Sequence, residues 1–292
     1  MATNALTEEQ ILRDHPRMGP EDRFQFRCDS TLDCFTHCCR DVSIVLTPYD
    51  IIRMKRALGI DSSEFLEKHT ISPFTPEQKF PIVLLKMDSE TRRCPFVTEQ
   101  GCGIYANRPW ACRMYPLGVA APRNPTPDDH AFHFLVREDL CHGHDQSAGC
   151  TVPADLDHGP EQDAGCGARA GHDQGAGYTV REWIAGQGIE EYDMMGAQFR
   201  ELTLHPFWDG DKALTPPQMD MFHMACYDLD RFRRFVFETR FPTLFEIDES
   251  RLAAMRTNDL DLLEFAAQWL RFSLFQEPTM KIRKPVLEAR RK

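Results

Sequence analysis

Residues 28–40 read CDSTLDCFTHCCR, and residues 94–118 read CPFVTEQGCGIYANRPWACRMYPLG. With Cys141 added, the two bursts hold eight of the eleven cysteines: Cys28, Cys34, Cys38 and Cys39, then Cys94, Cys102, Cys112 and Cys141. The N-terminus, MATNALTEEQILRDHPRM, lacks the basic flank and apolar run of a secretory leader, so the expected compartment is the cytoplasm. Thiols stay reduced there, and thiols this dense point to metal ligation rather than to a disulfide framework. An odd cysteine total also argues against complete pairing. About fifty residues of ordinary globular sequence separate the bursts, so the fold has to bring them together.

The spacing bears on which metal. Zinc knuckles use C-x2-C pairs, because a tight turn then places two sulfurs on one tetrahedral ion. The gaps here are five, three and zero residues in the first burst, then seven, nine and twenty-eight. Iron–sulfur clusters are larger and accept ligands from several loops, which suits irregular spacing better; a 4Fe-4S cluster is therefore favoured, with zinc as the alternative. Cys38 and Cys39 are adjacent, and in an extended segment neighbouring side chains point to opposite sides. Two four-sulfur sites, or one site with the remaining thiols packed as core, follow from that expectation. His37 and His142 stand beside ligand candidates and are read as surface or supporting groups.

Four thiolates bring a charge of about −4, of which a 4Fe-4S core neutralises about half, so nearby cations are expected. Arg40, Arg108 and Arg113 are placed to supply them. Gly101 before Cys102 suggests a turn that presents backbone N–H groups to sulfur, with Pro109 and Pro116 stiffening the loop.

Composition bounds the remaining classes. The chain has 292 residues, 42% hydrophobic and 27% charged, enough for one large domain or two modest ones. A net charge of −11 argues against nucleic-acid binding, and no run approaches the roughly 20 apolar residues that cross a bilayer. The basic end, KIRKPVLEARRK, is read as a frayed, solvated tail.

Organisation follows from composition shifts. A cysteine-cluster domain over residues 20–143 is followed by a Gly/Asp/Gln-rich insertion at 144–177, a helical region at 178–276 and the basic tail at 277–292. The insertion repeats HDQSAG (144–149) as HDQGAG (172–177), and its two cysteines, Cys150 and Cys166, are read as incidental to the metal site. Short buried strands are expected at 42–46, 82–87 and 131–136. Thr47 with Pro48 and Asp50 starts a helix that stops at Gly59; Asp61 with Glu64 starts another. Thr179 with Glu182, Thr215 with Gln218, and Asn258 with Asp261 mark later helix starts. Met219, Phe222, Cys226 and Leu229 fall on one helical face, which makes Cys226 a small core hydrophobe. The fold class is therefore α+β: a small cysteine-rich metal-binding domain of short strands and loops, then a mainly α-helical half.

CFTHCCR, the capped helix after it, and the run C-P-F, G-C-x-I-Y, R-P-x-x-C-R-x-Y-P-L resemble the YkgJ-type cysteine-cluster family, also called CxxCxxCC, a zinc- or iron-chelating domain. The likeness covers residues 26–141 and implies metal binding by the eight cysteines Cys28, Cys34, Cys38, Cys39, Cys94, Cys102, Cys112 and Cys141. The first gaps here are wider than the family pattern. The opening also resembles flagellin lysine N-methylases, which implies an alternative: a cluster-dependent lysine methyltransferase. The glycine-rich turn that would cradle S-adenosylmethionine is missing, and Asp41 occupies the third position of a C-x3-C-x2-C radical-enzyme motif. The primary expectation is a metal-binding protein whose cluster is structural, carried or redox-active, and a protein partner is expected beside the metal. A C-x-x-C thiol enzyme is not supported.

Overall fold

The computed structural model describes residues 16–73, 75, 78–120, 131–144, 177–210 and 213–289. Cys150 and Cys166, with the rest of 145–176, lie outside the described residues. Along the chain run β1 (Arg23–Phe24), β2 (Val45–Leu46), α1 (Pro48–Leu58), α2 (Ser62–His69), β3 (Thr70–Ile71) and β4 (Val83–Leu85). Then come β5 (Val97–Thr98), β6 (Gly101–Cys102), α3 (Trp110–Met114), β7 (Leu117–Ala120), β8 (Phe132–Leu135) and β9 (Tyr178–Thr179). The rest is helical: α4 (Val180–Gly186), α5 (Ile189–Thr203), α6 (Pro216–Cys226), α7 (Leu229–Glu238), α8 (Phe241–Leu244), α9 (Glu249–Thr257), α10 (Asp259–Phe275) and α11 (Lys284–Ala289). The class is α+β, with short strands and loops early and helices late. No helix among the described residues is long and apolar enough to cross a membrane.

Two compact units divide the chain, and each is discontinuous in sequence: Met1–Val42 with Met87–Glu190, and Ser43–Lys86 with Glu191–Lys292. All eight clustered cysteines belong to the first.

In the first unit β1 pairs antiparallel with β9, setting Phe24 opposite Tyr178, and β7 pairs with β8, from Leu117 opposite Leu135 to Ala120 opposite Phe132. These pairings gather Phe24, Met114, Leu117, Val180, Trp183 and Ile189 into one buried cluster, against which Phe26 and Trp110 also pack. Each such side chain taken out of water contributes about 1.5–3 kcal/mol. Trp183 buries its ring edge-on to Phe24 and donates its indole N–H to the Met114 carbonyl at 3.3 Å, so the helix carrying Cys112 is tied to α4. The α4 start behaves as its sequence indicates: Thr179 N donates to Glu182 at 2.8 Å and Glu182 N to the Thr179 hydroxyl at 3.1 Å.

The second unit holds a three-stranded antiparallel sheet, ordered β2-β4-β3, beside the helices. Leu46, Val83 and Leu85 are buried, but Val45 and Ile71, both opposite Leu84, are 52% and 48% exposed. The expected strands are short, as β2, β4 and β8 span two, three and four residues, but their expected burial is corrected: Val45 on β2 faces outward, Leu84 on β4 is half-buried and so is β8 throughout. Helix α1 opens on the Thr47–Asp50 reciprocal cap and closes at Gly59, whose φ of +68° suits glycine. On α6 Phe222 and Cys226 are buried as expected; Leu229 is buried too, but as the first residue of α7 rather than on α6. Burial pushes the Cys226 thiol well up, consistent with a packed core group. The basic end is not frayed over its whole length. Glu246 N donates to Lys281 O at 2.8 Å and Arg283 N to Leu244 O at 3.0 Å, and α11 follows.

A buried ionic network ties α1, α2, α7 and α10 together within this unit. Lys55 Nζ lies 2.6 Å from Asp230 and 3.3 Å from Asp259, and Arg233 reaches the remaining oxygen of both carboxylates. Ser62 donates its N–H to Asp230 at 2.8 Å and its hydroxyl to Asp228 at 2.7 Å.

Candidate metal centre

The first burst is a chain of tight turns. Asp29 accepts the Thr31 and Leu32 N–H groups, Leu32 O accepts Phe35 N, and Cys34 O accepts His37 N. A 3₁₀ turn over His37–Cys39 follows, entered through Thr36 at φ +67° and left toward Asp41 at φ +54°. Cys38 and Cys39 are therefore not in an extended segment, and the expected opposition of their side chains is overturned. The two thiols hydrogen-bond to each other.

Backbone pairing stitches the second burst to the first. Arg40 forms an antiparallel bridge with Arg93; Asp41 N donates to Arg92 O and Cys94 N to Cys39 O, each at 2.8 Å. From Cys94 the chain enters the β5–β6 hairpin, which turns through Gly101 at φ +112°. A Cβ there would stand 3.2 Å from the Phe35 ring, so the glycine answers both a backbone and a packing requirement. A 3₁₀ turn at Tyr105–Asn107 and Pro109 then lead into α3, which presents an exposed Cys112.

The thiols of both bursts act on one another. Cys39 is pushed far above its ordinary value by the bond to Cys38, by burial, and by the neighbouring Cys38, Cys94 and Cys112. Cys38 is lowered, chiefly because Cys39 donates to it. Burial raises Cys94, opposed by the Phe96 and Val97 N–H groups, and nearby Cys102 and Cys38 add to the rise. Burial likewise raises Cys102, opposed by the Ile104 N–H and by Arg108. Electrostatic reach thus links Cys38, Cys39, Cys94, Cys102 and Cys112 as a chain of neighbours, Cys39 with Cys38, Cys94 and Cys112, and Cys94 with Cys38 and Cys102. Among the described residues no three of these sulfurs come within 4.8 Å of one another. Such a set becomes fully anionic only when a cation neutralises it.

Two of the three arginines singled out, Arg108 and Arg113, are buried. Arg108 is 7% exposed, lies 3.7 Å over the Tyr105 ring, and donates to Tyr105 O and the Gln187 side chain. Burial lowers its pKa, while Tyr105, Cys112 and Cys102 act in the opposite sense, so the guanidinium stands within electrostatic reach of two thiols. Arg113, 8% exposed, donates to Gln187 O and Ala106 O at 2.6 Å and to Arg108 O at 3.2 Å. Arg40 is exposed, and it is its main chain that joins the bursts.

The remaining three cysteines of the eight lie along the segment bearing Cys141. Arg27 N donates to Gly143 O at 2.8 Å; a Cβ on Gly143 would fall 2.4 Å from Arg27 O and 2.8 Å from the Phe26 ring. Only glycine permits this approach, which brings residues 141–144 against the chain just before Cys28. Gly143→Ala is therefore expected to destabilise the first unit by about 1–3 kcal/mol, the cost of overpacking, read by urea unfolding. An unchanged midpoint would show that the contact is dispensable. Cys141 meets the Tyr115 hydroxyl, and burial with that bond pushes the phenol well above its ordinary range. His142 N donates to Cys34 Sγ at 3.3 Å, and His142 Nδ1 lies 2.6 Å from Asp33, whose carboxyl is held low by that contact. His37 is exposed.

Asp33, Tyr115 and Gln187 were not singled out by sequence. Asp33 precedes a ligand candidate and Tyr115 sits in the R-x-Y-P-L run, weak signals at best; Gln187 carries none.

Dense thiols on tight turns, with buried Arg108 in reach of two of them, make a donor set that fits zinc or iron. Residues 27–142 match the model of the CxxCxxCC family, described as a putative zinc- or iron-chelating domain, and the match takes in all eight clustered cysteines. No curated protein and no solved structure matches the chain.

Proposed function

We propose that the first unit binds an iron–sulfur cluster, most simply 4Fe-4S, through thiolates drawn from both cysteine bursts. The observation that carries this reading is the five-thiol group of Cys38, Cys39, Cys94, Cys102 and Cys112, drawn from a 3₁₀ turn, the β5–β6 hairpin with the stretch leading into it, and α3, with buried Arg108 in reach of two of the thiols. A single zinc ion and a 4Fe-4S core each take four thiolates; it is the irregular spacing, with ligands drawn from several loops, that suits the larger inorganic core. Arg108 and Arg113 offset the residual negative charge, and the Ile104, Phe96 and Val97 N–H groups point at sulfur. The centre serves as a structural, carried or electron-transfer site in the cytoplasm.

Protein isolated without oxygen after expression with ample iron and sulfide should be brown, with broad visible absorbance that bleaches on reduction, and should contain acid-labile sulfide. A colourless product with stoichiometric zinc under those conditions would sink the iron–sulfur reading and leave zinc. Methyl transfer from S-adenosylmethionine to a lysine-rich protein by the loaded protein would promote the methylase alternative.

A further inference from the structure

We propose that Asp33, Cys34 and His142 form a separate mononuclear site for a divalent cation, with zinc as the occupant. The site goes beyond the five-thiol group and does not depend on what that group holds. One carboxylate oxygen, one sulfur and one imidazole nitrogen, from stretches 109 residues apart in sequence, come within 4.8 Å of one another. The shortest separation is 2.6 Å, between His142 Nδ1 and Asp33 Oδ1. Three corners of a zinc tetrahedron with bonds of about 2.0–2.3 Å lie roughly 3.3–3.7 Å apart. The Asp33–His142 pair is closer than that and none of the three separations exceeds 4.8 Å, so side-chain rotation has to open the pair by about 1 Å to admit an ion.

The backbone holds the three donors in place. Cys34 lies within the consecutive turns that begin at Asp29, with its carbonyl bound by His37 N and its sulfur approached by the His142 N–H at 3.3 Å. On the other side, His142 opens a 3₁₀ turn clamped to Arg27 through Gly143.

Chemistry selects the ion. Calcium and magnesium prefer all-oxygen shells, whereas zinc accepts sulfur, nitrogen and oxygen together. The Asp33 and His142 side chains are 77% and 45% exposed, so the fourth position opens to water, as in zinc sites that keep a free coordination place. Cys34, counted by sequence with the sulfur cluster, belongs on this reading to a different ion.

The test is zinc content and zinc K-edge absorption of the full chain, compared with Asp33→Asn and His142→Gln, with iron, sulfide and visible absorbance measured on the same samples. Wild-type protein should hold one more zinc per chain than either variant. Its difference spectrum should show one sulfur and the rest light atoms, and zinc affinity in both variants should fall at least tenfold. Iron, sulfide and the visible spectrum should be unchanged, so a failure of the cluster reading is seen independently. Equal zinc content and affinity in wild type and both variants, or an all-sulfur shell around the extra zinc, would overturn the proposal and leave Asp33–His142 a plain surface ion pair. Circular dichroism verifies that the variants fold, and Asp33, being largely exposed, tolerates asparagine.

Discussion

Replacing Cys112 with alanine is expected to release the metal of the five-thiol group and unfold the first unit as a whole. Metal bound to a structural thiolate site contributes about 10–16 kcal/mol, while an entire domain is stable by only about 5–15 kcal/mol. The metal term is as large as the whole margin, so the loss should be all or none. Hydrogen exchange reads it by position: amides at 16–42 and 87–120 should lose protection, whereas amides of α1, α7 and α10 in the second unit should keep theirs. Cys226→Ala, at a thiol buried among apolar side chains, should keep the full metal complement. Retention of metal and protection by the Cys112 variant would remove that residue from the ligand set.

The second large effect lies in the ionic network of the second unit. Asp259→Ala is expected to cost about 3–5 kcal/mol, because it leaves buried Lys55 and half-buried Arg233 short of a partner charge. Acid should act on the same network. Burial raises Asp230, but the Lys55 ammonium and the Ser62 N–H outweigh it and bring its carboxyl down to about 2 from 3.8. A carboxylate with a depressed folded-state pKa adds stability above its unfolded pKa and loses it as pH falls through the folded one. At about 1.4 kcal/mol per pH unit, Asp230 contributes about 2 kcal/mol that is present above pH 4 and gone below pH 2. Urea midpoints for wild type and Asp230→Asn should converge as pH is lowered through that window. Parallel curves down to pH 2 would falsify the assignment.

The helix starts were legible because a cap is a local event. Thr47 with Asp50, Thr179 with Glu182, and Asn258 each meet their partners within three residues. Strand length was not legible: an apolar run at 42–46 becomes a strand of only Val45–Leu46, since pairing partners set where a strand ends. Nor could composition reveal that α1 and α2 pack with the late helices. That depends on Lys55 meeting Asp230, 175 residues away. The candidate ligands were visible as cysteine density, but their geometry was hidden by Thr36 and Asp41. Neither is glycine, yet both adopt positive φ and turn an apparently extended CCR into a 3₁₀ turn. Arg108 and Arg113 stood out beside the cysteines, while Gln187, which holds both, lies in no motif.

The β1–β9 pairing has a consequence for biosynthesis. Arg23 donates to Gly177 O across 154 residues of sequence, so the N-terminal strand has no partner until the ribosome has passed Thr179. At roughly 5–20 residues per second, that interval is on the order of ten seconds or more. All eight clustered cysteines, from Cys28 to Cys141, are translated within it. The complete sulfur set is therefore translated before the strand that pairs with β1 exists.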